Sequence, residues 1–133
     1  MSLEDNLATT RAYADAWVKG DIAAVFALYH DDFTLHYFGE SPLAGDHVGK
    51  AAAVATLGKV QQITNRKVVE VHDIMAGEDH SAILVHEHWD QGGRTLDVRR
   101  LLVFHLRDGM LFECWLYDDD QRAVDKFWSA AGA

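Results

Sequence analysis

An α+β architecture, with helices on one face of a mainly antiparallel sheet, follows from two features of the chain. Apolar residues recur at three-to-four spacing in the N-terminal part and alternate with polar ones after about residue 66. Two glycine-bearing turn signals, Gln91-Gly92-Gly93 and Asp108-Gly109, then cut the later stretch into hairpin-connected strands. Helices gathered early and a strand meander late are the pattern of α+β layers.

The elements follow in order. Leu3, Leu7, Ala14, Trp17 and Val18 mark one face of a helix over 3–19, and Gly20 is its natural stop. Asp21 can cap a second helix over 22–29. Phe33, Leu35 and Tyr37 alternate with Thr34, His36 and Phe38 as a strand, which Gly39-Glu40-Ser41-Pro42 breaks. A loop over 43–47 leads to a third helix over about 48–61. Strands are expected over 66–76, 81–90, 94–106 and 110–117, and a last helix over roughly 119–129.

The 133 residues make one domain over 1–133, and 49% hydrophobic content supplies a core. Twelve Lys and Arg against 21 Asp and Glu leave a net charge of −9. This argues against nucleic acid or an anionic membrane as partner, because both require a basic surface. A lone cysteine, Cys114, excludes an internal disulfide framework and a Cys-rich zinc site. The acidic start Met1-Ser2-Leu3-Glu4-Asp5 has no signal-peptide core, so a soluble, cytoplasmic protein is the expectation.

The two turns assign side chains to faces. A two-residue turn at Asp108-Gly109 sets Arg107 opposite Met110, His105 opposite Phe112, Val103 opposite Cys114, Leu101 opposite Leu116 and Arg99 opposite Asp118. A turn at Gly92-Gly93 sets His88 opposite Asp97 and His86 opposite Arg99. One face then gathers His86, His88, Asp97, Arg99, Leu101, Cys114, Leu116 and Asp118; the other gathers Glu87, Trp89, Arg100, Phe104, Trp115 and Tyr117. The helices can cover only one face. An uncovered face with Trp89, Phe104, Trp115 and Tyr117 is a large apolar patch, and a sheet-to-sheet homodimer is its simplest cover.

Tyr13-Ala14-Asp15-Ala16-Trp17-Val18-Lys19-Gly20-Asp21, followed by Leu28-Tyr29-His30-Asp31-Asp32-Phe33, resembles the opening of the NTF2-like superfamily. Pro42-Leu43-Ala44-Gly45-Asp46-His47-Val48-Gly49-Lys50 is similar to the loop into the third helix of SnoaL-like polyketide cyclases, and Asp108-Gly109-Met110-Leu111-Phe112-Glu113-Cys114-Trp115 to their final strand. The resemblance extends to the ketosteroid isomerase-like branch. It implies a cone, a strongly curved sheet around helices with a deep pocket between them, and dimers through the outer sheet face. It also places Cys114, Leu116 and Asp118 on the pocket side. By the same resemblance Tyr13 matches the helix-one tyrosine that serves ketosteroid isomerases as oxyanion donor. The general-base Asp of those enzymes falls at Tyr37 and their second pocket acid near Leu102. The last-strand Asp of the cyclases falls at Leu116, and the Arg-x-Asp of related epoxide hydrolases at His86-x-His88. No catalytic set of the superfamily is therefore complete in this chain.

Joined to the hairpin register, the resemblance puts His86, His88, Asp97 and Arg99 in the pocket. A histidine oriented by Asp97 suits a general base, and Arg99 with Tyr13 suits a developing oxyanion. The alternative is a structural ion pair with mutually satisfied histidines. Asp118 reads as a second acid, as the partner of Arg99, or as a helix cap. Trp17, Phe33, Tyr37, His47, Leu101, Cys114 and Leu116 are the expected substrate-contacting residues, with His36 a further candidate. Cys114 also reads as a core filler rather than a nucleophile. His86-x-His88 with Asp97 or His105 has the spacing of a zinc or iron site, but the reading adopted is no metal and no cofactor. The expected function is a cofactor-independent acid–base enzyme of the isomerase, cyclase, dehydratase or hydrolase type, acting on a small apolar or aromatic molecule. Non-catalytic binding of such a molecule is the alternative.

Overall fold

A computed structural model describes residues 2–130; Met1 and residues 131–133, part of the expected 1–133 domain, lie outside the described residues. Helices α1 (Leu3–Lys19) and α2 (Ile22–Ala27) lead into strands β1 (Tyr29–Tyr37) and β2 (Gly45–Val48). Helix α3 (Lys50–Thr64) precedes the meander β3 (Lys67–Ala76), β4 (His80–Gln91), β5 (Arg94–Arg107) and β6 (Met110–Asp118), and α4 (Gln121–Ala130) follows. The expected elements are all present. α1 starts on a Ser2–Asp5 capping box and stops at Gly20, whose φ of 71° is left-handed. Two boundaries differ. The second helix gives way at Leu28, so that β1 begins at Tyr29 and not at Phe33, and β2 takes up the end of the expected 43–47 loop together with Val48, so that α3 starts at Lys50.

The six strands form one curved, unclosed sheet in the order β2-β1-β6-β5-β4-β3. All neighbours are antiparallel except β1 and β6, which run parallel. Both hairpin turns are as expected. Gly92 and Gly93 (φ 60° and 87°), like Asp108 and Gly109 (φ 55° and 74°), hold the two successive positive φ angles of a type I′ turn. His86 pairs with Arg99 and His88 with Asp97, as the first turn requires.

The second hairpin departs from its expected register after two pairs. Arg107 opposes Met110 and Leu106 opposes Leu111, but His105 then opposes Glu113, so Phe112 is an extra residue. Past this bulge the parity of β6 reverses. Cys114, Leu116 and Asp118 pair with Phe104, Leu102 and Arg100, and not with Val103, Leu101 and Arg99. All six face the helices, together with Val85, Glu87 and Trp89 of β4. Burial follows from this: Trp89 and Phe104 are wholly enclosed rather than exposed on an outer face. His86, His88, Asp97, Arg99 and Leu101 lie on the opposite, outer face with Trp115 and Tyr117.

Candidate small-molecule pocket

A hollow of about 620 Å³ opens where the C-terminal ends of α1 and α3 meet α2 and the start of β3. Tyr13 and Trp17, one turn apart on α1, enter it side by side, with ring centroids 6.1 Å apart. Val25, Leu57 and Val68 add apolar wall from α2, α3 and β3. The floor is polar at one point. The Tyr13 and Tyr29 hydroxyls lie 2.9 Å apart, both rings buried, with Phe104 edge-on to Tyr13 at 5.2 Å. Burial pushes the Tyr13 hydroxyl up to about 12 and Tyr29 well above its ordinary value. Both phenols are therefore protonated at neutral pH. One proton bridges them, and the accepting hydroxyl keeps its own to donate. At the rim the Arg66 guanidinium lies over the Trp17 ring, 5.2 Å from its centroid, and the buried Arg66 Nε has no hydrogen-bond partner.

A charge cluster lies elsewhere in the interior, beneath α4. Arg100 is fully buried. Its Nε donates to Asp118 Oδ1 at 2.6 Å, and its Nη2 donates to Asp118 Oδ2 at 3.2 Å and to the Tyr37 hydroxyl at 3.0 Å. Glu87 Oε1 sits 3.6 Å from Arg100 Nη1 and accepts from Trp89 Nε1 at 2.9 Å. The Tyr37 and Trp89 rings flank the guanidinium, and Trp128 of α4 packs edge-on against both. Burial raises the Asp118 carboxyl above its ordinary value, against the opposing pull of Arg100.

The sequence-derived candidates are thus divided. His86 Nε2 and His88 Nδ1 do meet Asp97 Oδ1, at 3.0 and 3.2 Å, but on the outer face, where the Asp97 side chain is 59% exposed. Arg99 is exposed there too and is not the partner of Asp118. The placement of these four residues in an enclosed pocket is corrected: the helices cover the opposite face of β4 and β5, which carries Glu87, Trp89, Arg100 and Phe104, and the Phe112 bulge puts Cys114, Leu116 and Asp118 on that covered face and not on theirs. His86, Arg99 and Leu101 instead border an outer hollow of about 570 Å³ with Glu70, His72 and Tyr117. Tyr13 and Trp17 line the interior pocket as expected. Phe33, Tyr37, Cys114 and Leu116 are buried core, and burial lifts the Cys114 thiol far above its ordinary value, which suits a core filler. His47 is tied by Nε2 to the Leu43 carbonyl at 2.6 Å. His36, on the outer side of β1, sits between Asp46 and Glu113.

Sequence reasoning missed Tyr29, Arg66, Glu87 and Arg100. Tyr29 fell in the expected helix and Arg66 at its element boundary. Glu87 and Arg100 stand in the sequence as charges within an aromatic, alternating face, which is the signature of buried ion pairs once that face is known to be covered. Among the described residues no group of three or more His, Cys, Asp or Glu side chains is arranged to hold a metal ion.

A curved open sheet wrapped on helices, with a hollow between the layers, defines an NTF2-like, or cystatin-like, protein. The chain belongs to the SnoaL-like domain family, whose model matches residues 10–114. Among solved structures it is similar to Bal32a from a soil-derived mobile gene cassette, with 28% identity over 95% of this chain and 98% of that one, and a TM-score of 0.87. It is equally similar to a protein of unknown function with a cystatin-like fold from Xanthomonas campestris (27% identity, 96% and 98% coverage, TM-score 0.86). An NTF2-like protein from Burkholderia xenovorans LB400 shares the fold at 21% identity, with 100% and 99% coverage and a TM-score of 0.78. No curated protein matches the chain.

Proposed function

We propose that this SnoaL-like protein binds a small apolar or aromatic molecule in the interior pocket and promotes cofactor-independent proton transfer on it, of the isomerase, cyclase, dehydratase or hydrolase type. The observation that carries this reading is the buried Tyr13–Tyr29 hydroxyl pair at the floor of an apolar hollow. A carbonyl or enol oxygen placed there receives a hydrogen bond from a donor that needs no reorganisation and feels little screening. Such a bond strengthens as negative charge develops on that oxygen. Binding without turnover is the second reading. It is favoured by the lining itself, which among the described residues includes neither carboxylate nor imidazole to act as a base.

Turnover of a panel of enones and cyclic ketones, followed with Tyr13→Phe and Tyr29→Phe, separates the readings. Proton-transfer chemistry predicts a loss of about 10²–10³ in kcat with a smaller change in binding. Saturable binding with no turnover of any panel member supports the second reading, and turnover indifferent to both substitutions overturns the first. We further propose a homodimer through the outer sheet face. Its support is the half-buried row Leu84, Leu101, Val103 and Trp115 with exposed Tyr117, an apolar patch that a second copy would cover.

A further inference from the structure

The charges around the pocket run against those of the chain. The protein has 21 acidic and 12 basic residues, yet the pocket lining carries Lys19, Arg66 and Lys67 and, among the described residues, no Asp or Glu. Nor are these cations paired elsewhere. Among the described residues, the ion pairs made by Lys or Arg all belong to Arg100. Part of the positive charge has a local explanation, because α1 and α3 both end at this rim, with Lys19 in the last turn of α1. Each helix C-terminus is worth roughly half a negative charge. Two such ends offset about one of the three cations, so an excess of roughly two positive charges is left facing the hollow.

Arg66 is the member best placed to use that excess. It directly follows Asn65, whose left-handed φ of 45° ends α3 and turns the chain into β3. Its guanidinium lies over the Trp17 ring, 5.2 Å from the centroid, and its Nε is buried with no acceptor. A planar guanidinium fork without a counter-ion matches the geometry of a carboxylate. The floor hydroxyls, Trp17 and Arg66 thus present three different chemistries to one occupant: a neutral donor, an aromatic wall and a cation.

We propose that the ligand of this pocket is an aromatic or alicyclic carboxylate. Its anionic group sits at the rim against Arg66, supported by Lys19 and Lys67, and its ring lies along Trp17 and Leu57. This assignment rests on the interior pocket being the binding site, and it narrows that reading to an acidic class of molecule.

Isothermal titration with 2-naphthoate and its neutral methyl ester tests it, on the wild-type chain and on Arg66→Gln and Lys19→Gln. The wild type is expected to bind the carboxylate at least about tenfold more tightly than the ester, and less tightly as salt is raised. Arg66→Gln should abolish the preference while leaving ester binding intact, which also shows that the variant is folded; Lys19→Gln should reduce the preference in part. Equal binding of acid and ester, unmoved by Arg66→Gln, overturns the carboxylate assignment and leaves the pocket standing. Failure of both compounds to bind overturns the pocket reading and the assignment with it.

Discussion

Arg100 shows how much one side chain can decide. Its guanidinium reaches Asp118 in two hydrogen bonds, lies 3.6 Å from Glu87, and sits over the Tyr37 and Trp89 rings. Removing it strands two buried carboxylates, so Arg100→Met should cost about 3–5 kcal/mol in urea unfolding. Replacing Arg100, Glu87 and Asp118 together with apolar residues of similar volume should cost far less, because no charge is then left unpaired. His36 makes the opposite case, at a partly exposed site. Burial disfavours its charged form, but hydrogen bonds to Asp46 and Glu113 at 2.6 Å outweigh this and raise its pKa above 6.5. A raised folded-state pKa contributes stability that is full below the unfolded value of about 6.5 and is lost as pH rises through the folded value. The wild type should therefore exceed His36→Gln by about 1 kcal/mol near pH 6, and the two should converge near pH 9 in chemical denaturation.

Among the elements, the β5–β6 hairpin matters most. Its turn residues set the first two pairs, and one additional residue, Phe112, then inverts every later side chain of β6 relative to β5. The inversion is what puts Cys114, Leu116 and Asp118 in the core beside Phe104, Leu102 and Arg100. Deleting Phe112 removes the extra residue and leaves a regular ladder in which every remaining pair, and so the inward facing of Cys114, Leu116 and Asp118, is kept. The deletion should therefore keep a cooperative thermal transition followed by circular dichroism, at a cost confined to the lost ring. Phe112→Ala keeps the residue count and removes only a half-buried ring, so it should cost about 1–2 kcal/mol and leave the transition cooperative.

For the molecule as a whole, curvature separates two surfaces with different chemistry. The inner one is aromatic, with phenols at the pocket floor and the Arg100 charge cluster beneath α4. The outer one carries His36, His80 and His105 together with His86 and His88, the two histidines that invited a catalytic reading, beside the apolar row that a second copy would cover. Sedimentation velocity at neutral pH should give twice the subunit mass, and Leu101→Asp should halve it by burying a charge at the centre of the pairing. A wild-type chain sedimenting as a single subunit would sink the homodimer.

Element order, both type I′ turns and the β4–β5 register were readable along the chain, because hydrophobic period and turn chemistry are properties of consecutive residues. So were Tyr13 and Trp17 as pocket residues, through their spacing on α1 and the family resemblance. Three features were not. The insertion of β1 beside β6 joins segments more than half a chain apart, and no local pattern records it. The bulge at Phe112 is a backbone irregularity that no glycine or proline marks, so the strand pattern across it looks unbroken. And whether His86 and Asp97 or Glu87 and Arg100 meet water depends on which face the helices cover, a choice made by packing of the whole fold rather than by the strands themselves.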